Sequence, residues 1–180
     1  MNTVVVFKWL RNPADARVSA DGSVDWGASK PAPSDDDPEA AAVAATLAAA
    51  GDGTCIGVTV GAGDVAWAAA RGAASTIVVT DAVPGPDASA TAEILAAAVR
   101  AAGSADVVVV GDSAWDRGVP VALAGALGWA AIADVQAATL EGDRLRVTRR
   151  HGDGSQVLDV ATPVVLAVAA SRAEEHGPGM

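Results

Sequence analysis

Apolar and polar positions follow two different periods along this chain, and the change of period predicts its elements. Short runs rich in valine and isoleucine predict buried strands, and apolar residues at helical spacing predict helices. Strands that alternate with helices in this way favour a parallel sheet with helices on both faces. The predicted strands are 3–9, 54–61, 75–81 and 105–111, and the predicted helices are 38–51, 64–72, 87–103 and 119–128.

Two parts of the chain depart from this alternation. The segment "RVSADGSVDW" at 17–26 places Asp21-Gly22 between two short alternating stretches, which predicts a β-hairpin. Beyond residue 130, period-two stretches broken by "EGD" and "GDG" predict three antiparallel strands, and "VVLAVA" predicts a last buried strand. We therefore expect an α/β fold with an antiparallel C-terminal extension. We expect one domain over residues 1–170 and a flexible tail at 171–180.

Composition and charge narrow the class of protein. The chain has 180 residues, of which 51% are hydrophobic, and its formal net charge is −10. An acidic chain lacks the basic patches that nucleic acids and anionic membrane surfaces require, so neither is expected as a partner. The apolar run at the start is short and has no basic leader, and no stretch is long enough to span a membrane. We expect a cytoplasmic protein in which the single cysteine, Cys55, is part of the core.

Residues for independent catalysis are scarce. The two histidines, His151 and His176, lie beside a predicted turn and near the end of the chain, with no serine or cysteine partner. No histidine pair with spaced carboxylates suggests a metal site. The acidic run "SDDDPE" fits either a cation site or, more simply, helix capping and solvated charge. We expect no catalytic residues and no metal.

Two turns between a strand and a helix are candidates for ligand contact. "VGAGD" at 60–64 has free backbone N–H groups at a helix start, but lacks the third glycine of a dinucleotide fingerprint and the lysine of a P-loop. "GDSAWD" at 111–116 follows the fourth strand, which is expected beside the first. A ligand at these strand ends would contact "VVFK", "VGAG" and "GDSAWD" together. Each turn also reads as a tight connection without a ligand, and Trp115 fits either stacking on a base or covering the sheet edge.

Read together, these segments resemble the β subunit of electron transfer flavoproteins. The resemblance runs from "VVVFKWLRNP" and "RVSADGSVD" through "DDDPEAAAVAATLAAAG", "VTVGAG" and "AWAAARGAASTIVVTD". It continues through "ADVVVVGDSAWD" and "LAGALGWAAIADV" to "LEGDRLRVTRRHGDGSQVLDVATPVVLAVA". No single segment is diagnostic, and their order and spacing make the case. The resemblance implies a Rossmann-like fold of the adenine-nucleotide-binding type.

The resemblance also implies cofactors, partners and site residues. Family members pair with an α subunit that carries most of the FAD site, and the β subunit holds AMP, or a second FAD in bifurcating forms. The pair accepts electrons from dehydrogenases and passes them on. A homo-oligomer is the alternative assembly. The residues aligned with the family's nucleotide contacts are Val6, Ser34, Asp37, Val60, Gly61, Gly111, Asp112, Ser113, Ala114, Trp115 and Asp116.

Departures from the family pattern concern the phosphate end of that site. The phosphate-binding segment after Asp116 is shorter here, and Pro120 removes one N–H from the following helix. Asp112 stands where a basic or amide residue is usual, and only Arg117 offers compensation. The family's C-terminal arm is not recognisable after "AVAA". These departures predict a degenerate nucleotide site. The alternatives to an electron-transfer subunit are a stand-alone nucleotide-binding regulatory module and an interaction scaffold anchored by Trp9, Trp26 and Trp67.

Overall fold

One eight-stranded sheet forms the centre of the structure. A computed structural model describes residues 1–12, 15–83, 85, 87–114 and 116–170 of the chain. The strands are β1 (Thr3–Val6), β2 (Leu10–Arg11), β3 (Arg17–Val18), β4 (Val24–Asp25), β5 (Pro31–Ala32), β6 (Cys55–Val60), β7 (Ser75–Val79), β8 (Val107–Gly111), β9 (Ala130–Glu141), β10 (Arg144–His151), β11 (Gly154–Val160) and β12 (Val164–Val168). The helices are α1 (Asp37–Ala50), α2 (Val65–Ala69), α3 (Ala88–Ala101) and α4 (Val119–Leu127).

The strand order is β7-β6-β1-β8-β12-β9-β10-β11, and the pairs from β7 to β9 are parallel. From β1 the chain continues to β6 and then to β7, each one place further out on the same side of β1. Helix α3 then connects β7 to β8, which lies on the other side of β1. The connections therefore leave β1 and β8 in opposite directions. A crevice opens at such a reversal, outside the carboxyl ends of the strands. The predicted position of the fourth long strand, β8, beside β1 is confirmed.

Alternate residues of the central strands supply two separate cores. Val5 and Val109 pack with α1, whose inward face is made of alanines and Leu47. Val4 and Val108 face the opposite side and pack with α3 and α4. The predicted parallel sheet with helices on both faces is confirmed. The prevalence of alanine on the helices lets them pack close to the sheet.

The C-terminal extension is antiparallel, as predicted. Strand β9 is long enough to have two neighbours: its first half pairs in parallel with β12, and its second half pairs antiparallel with β10. Strand β11 then pairs antiparallel with β10. The last buried strand, β12, returns to the middle of the sheet between β8 and β9, so the antiparallel ribbon continues the sheet instead of forming a separate unit.

Three predicted boundaries need correction. The first strand was expected over 3–9, but β1 ends at Val6: the Phe7 N–H still donates to the Val58 carbonyl oxygen of β6, whereas the Lys8 N–H donates to the Asp37 carboxylate. The hairpin at 17–26 is present, but its ladder has only two residue pairs, Arg17–Asp25 and Val18–Val24. No strand was predicted between the hairpin and α1, but β5 lies there and pairs with β2. The expected tail at 171–180 lies outside the described residues.

We expect Leu47→Ala to lower the free energy of unfolding by about 2–5 kcal/mol, because it removes a fully buried side chain where α1 packs on the sheet. Urea unfolding monitored by circular dichroism measures this change. Val121→Ala, at an exposed position of α4, is the matched control and should shift the value by no more than about 0.5 kcal/mol. Equal effects of the two substitutions would contradict the packing described here.

Candidate functional site

The carboxyl ends of the parallel strands bring the sequence-predicted residues to one edge of the sheet. Two of these residues end β1 and β6, a third ends β8, and two more lie at the start of α1. The edge contains Val6, Ser34, Asp37, Val60, Gly61, Gly111, Asp112, Ser113, Ala114 and Asp116. Trp115, which was also predicted, lies outside the described residues.

A buried lysine joins the segments at this edge. Lys8, just beyond β1, is only 8% exposed. Its Nζ donates a hydrogen bond to the Gly111 carbonyl oxygen at 3.1 Å and lies 3.7 Å from Asp37 Oδ1 and 3.5 Å from Asp116 Oδ1. One ammonium group thus contacts the end of β8, the start of α1 and the turn before α4. We call Lys8, Asp37 and Asp116 the buried ion cluster.

Asp37 is the most deeply buried member of the cluster, with no exposed surface. Its Oδ2 accepts hydrogen bonds from the backbone N–H of Lys8 at 3.0 Å and of Ser34 at 2.7 Å. A Cβ placed on Gly111 would lie 2.6 Å from Asp37 Oδ1, closer than real Cβ atoms approach other atoms. The start of α1 therefore packs so closely on β8 that this position requires glycine.

The carboxylates of Asp37 and Asp116 share one lysine, and burial raises the pKa of both. Burial raises the pKa of Asp37 above its ordinary range, and the Lys8 ammonium and two backbone N–H groups offset only part of that effect. Burial also raises the pKa of Asp116, with Lys8 acting against it and the charges of Asp37 and Asp112 adding to it. With both carboxylates ionised, the cluster has a net charge of −1, which disfavours a further anion beside it.

A small apolar pocket lies next to the cluster. Its walls come from the ends of β1, β6 and β8 and from the starts of α3 and α4, with Lys8 and Asp116 as its charged members and Thr91 as a further polar one. Its free volume is ≈ 40 Å³, room for a few water molecules. Pockets for ligands of nucleotide size are typically about 300–1,000 Å³. The lining is Val6, Phe7, Lys8, Trp9, Leu10, Val60, Thr91, Leu95, Val110, Asp116 and Val119.

Asp112 faces a different space from the pocket. Its Oδ2 accepts a hydrogen bond from the backbone N–H of Asp134 at 3.0 Å. Asp112 and Asp134 line a polar cleft with Arg117 and Arg150, beyond the end of β12. Two acidic and two basic side chains leave this cleft without an excess of positive charge. Arg117, the residue expected to compensate for Asp112, therefore has both acids near it.

The described groups of the turn after β8 do not fit a firmly held phosphate. The backbone N–H groups of Asp112, Ser113, Asp116 and Val119 already donate to backbone carbonyl oxygens. Pro120, in the first turn of α4, has no N–H. Lys8 is engaged by the two carboxylates. Phosphate sites at helix starts depend on free N–H groups and positive charge, and among the described residues this edge provides few of either.

Lys8 was the residue that sequence reasoning missed. The segment "VVFK" was expected at the site, but the lysine was not singled out. A lone charge directly after an apolar strand was the available signal, because a buried charge needs a partner. The acidic run was interpreted as helix caps, and this needs correction: Asp36 makes no side-chain cap on α1, and its Oδ1 instead accepts the backbone N–H of Ala170 at 2.8 Å.

The residues that the structure describes contain no metal-binding group and no membrane-spanning helix. No three His, Cys, Asp or Glu side chains among them come together in a group that could hold a metal ion. In the same part of the chain, every helix is too short or too polar to cross a membrane. Cys55 is buried, as expected, and burial raises the pKa of its thiol.

Comparison with models of known protein families gives a match. The family model described as "Electron transfer flavoprotein domain" matches residues 29–179, which include α1, the parallel strands other than β1 and the antiparallel ribbon. A search of curated proteins found nothing that matches the sequence. The matched range begins before the acidic run and includes the turn after β8.

We expect Asp116→Asn to change how stability depends on pH. A carboxyl group whose folded-state pKa is raised binds its proton more tightly in the folded than in the unfolded chain. Above its ordinary pKa of 3.8, ionisation of Asp116 therefore lowers the stability of the wild type as pH rises, until the raised folded-state value is passed. Asparagine does not titrate, so the unfolding free energy of the variant minus that of the wild type should increase between pH 4 and pH 7.

Urea unfolding at a series of pH values measures this difference. Asp21→Asn is the control of opposite sign, because hydrogen bonds from Ser23 lower the pKa of Asp21 in the hairpin turn. For Asp21 the difference should fall as pH rises from its folded-state pKa through 3.8. A difference for Asp116→Asn that is independent of pH, or that falls, would contradict the assigned burial of this carboxyl group.

Proposed function

The chain belongs to the electron transfer flavoprotein domain family, and from this premise we propose that it is a β-type subunit that supports electron transfer with a flavin-bearing α-type partner. The observation that carries the proposal is the family match over residues 29–179. The β type is supported by the order and spacing of the segments from "VVVFKWLRNP" to "VVLAVA". Electron transfer flavoproteins generally involve FAD and AMP, and in the proposed pair FAD is mainly on the partner.

The proposed role requires no chemistry from side chains of this chain. The polar residues at the sheet edge bond mainly to one another: Lys8 to two carboxylates and a carbonyl oxygen, and Asp112 to a backbone N–H. Such a network holds backbone segments in place and provides no nucleophile with an adjacent base. The contribution of this chain is therefore to provide a rigid surface that positions the partner, and the electron carrier is the partner's flavin.

We further propose that the nucleotide site of this subunit is degenerate. The small pocket volume, the engaged Lys8 and the bonded N–H groups of the turn after β8 all support this. Asp116 in particular lies at the pocket and adds negative charge where a phosphate would need donors. The alternative is a stand-alone regulatory module that binds AMP or another adenine nucleotide at the same edge.

Co-expression with the α-type electron transfer flavoprotein chain of the same genome tests the pairing. We expect a one-to-one complex that remains together in size-exclusion chromatography, has the absorbance of bound flavin and is bleached by dithionite. The chain purified alone should be colourless. Separate elution of the two chains at micromolar concentration would refute the proposed pairing.

Thermal unfolding of the isolated chain with AMP, ADP, ATP or FAD tests the nucleotide site. A ligand at about 100 times its Kd stabilises a protein by about 2.7 kcal/mol, which raises Tm by about 5–10 °C for a chain of this size. For a degenerate site we expect Tm with millimolar nucleotide to differ by less than about 1 °C from Tm without nucleotide. A shift of several degrees with any of the four would favour the regulatory module instead.

A further inference from the structure

The segment between β1 and α1 leaves the sheet and exposes apolar side chains. Of the seven large apolar residues that are exposed in the described part of the chain, three lie here: Val18 (73% exposed), Val24 (46%) and Trp26 (37%). Val18 and Val24 are directly opposite each other in the ladder of β3 and β4. Trp26 is two positions beyond Val24, a spacing that places it on the same face of an extended strand. We call residues 15–26 the hairpin arm.

The arm is ordered by its own hydrogen bonds and not by packing on the core. Ser19 N–H donates to the Ser23 carbonyl oxygen at 2.9 Å, and Asp21 Oδ1 accepts from both the N–H and the hydroxyl of Ser23. One tether to the rest of the segment is Arg11, whose Nη1 donates to the Trp26 carbonyl oxygen at 2.9 Å. A two-stranded hairpin in water is at best marginally stable by itself, so an apolar face in this state is suited to being covered.

The other tryptophans of this region are arranged differently. Trp67, on α2, lies 4.9 Å from Phe7 and 6.5 Å from Trp9 between ring centroids, and the Arg71 guanidinium lies 4.3 Å from its ring centre. This cluster is satisfied within the chain. Trp26 has no such ring partner among the described residues, so of the three tryptophans considered as anchors it is the one available to a partner.

Charge indicates what kind of partner fits the arm. The arm contains one base, Arg17, and three acids, Asp15, Asp21 and Asp25, so it has a net charge of −2 within a chain whose net charge is −10. A second copy of this chain would bring another −10 and would be repelled over most of its surface. A different protein without a strong negative charge can approach this mildly acidic, apolar arm without that cost.

We propose that the hairpin arm is a docking element for the flavin-bearing α-type partner, which covers Val18, Val24 and Trp26 with an apolar groove of neutral or positive surroundings. This rests on the proposed function. The segment that carries the arm starts at Leu10, in the wall of the pocket at the sheet edge. A partner that binds the arm is therefore placed beside the carboxyl ends of β1 and β8.

The test compares two double variants in binding to the α-type chain, measured by isothermal titration calorimetry. Val18→Thr/Val24→Thr keeps the β-branched shape that favours strands while making the face polar, and should weaken binding at least tenfold. Val121→Thr/Val157→Thr changes two exposed valines elsewhere, one on α4 and one on β11, and should leave the affinity within about twofold, as expected for distant surface positions.

A second measurement uses only the wild type, so it does not depend on folding of the variants. Hydrogen–deuterium exchange should slow at the amides of residues 15–26 when the α-type chain is added. Binding by the wild type with neither weakening in the arm variant nor protection of these amides would overturn this inference and leave the proposed function standing. Absence of binding by the wild type would instead refute the proposed function, and with it the partner assigned to the arm. A wild-type homodimer that dissociates in the arm variant would overturn the choice of a different protein as occupant.

Discussion

The Lys8 ammonium group holds together the edge of the sheet on which the rest of this structure depends. It lies at the end of β1 and contacts a carbonyl oxygen of β8 and carboxylates at the start of α1 and in the turn before α4. A charge with so little exposed surface is tolerated only when it is paired and hydrogen-bonded. Because the buried ammonium group must stay paired, the end of β8, the start of α1 and the turn before α4 are held in fixed positions relative to one another.

The same arrangement limits what the crevice can bind. Sheets with a reversal of strand order open a crevice for ligands at this place, and the family to which the chain belongs generally involves FAD and AMP. In this chain, the carboxylates of Asp37 and Asp116 use the lysine, and the close contact between α1 and Gly111 leaves little space. The strand order retains the crevice. The hydrogen-bond donors beside it, the Lys8 ammonium group and the N–H groups of the turn after β8, bond to other groups of the same chain.

The end of β1 also explains how the chain combines a rigid edge with a projecting arm. The Lys8 N–H donates to Asp37, so the chain leaves the sheet at this residue. It then forms the short pair of β2 and β5, from which the arm of β3 and β4 extends. The exposed apolar face thus lies between two members of the buried ion cluster in the chain: Val18 is ten residues after Lys8, and Trp26 is eleven residues before Asp37. A partner on the arm would be aligned by the most firmly held part of the sheet.

Much of the fold was predictable because burial leaves a clear pattern in sequence. The valine-rich runs at β1, β6 and β8 predicted central strands, and the broken alternation after Ala130 predicted the antiparallel ribbon. The errors have local causes. "TVVVFKW" was predicted as one strand through Trp9, because an apolar residue follows the lone Lys8 and the run does not show that an aspartate 29 residues away accepts the Lys8 amide. The acidic run resembled helix caps because nothing in the run shows that Asp36 accepts the N–H of Ala170, which is distant in the chain.

The sequence by itself determined the class of fold, the order of strands and helices and the sheet edge at which the polar residues lie, because these follow from hydrophobic periodicity and from the rules of parallel connections. Only the tertiary structure decided the partners of those polar residues: that Lys8 pairs with Asp37 and Asp116, that Asp36 and Asp112 bond to backbone N–H groups, and that Val18 and Val24 remain uncovered. The physical reason is that burial is a property of each run of residues, whereas pairing depends on the distance between segments that are far apart in the chain.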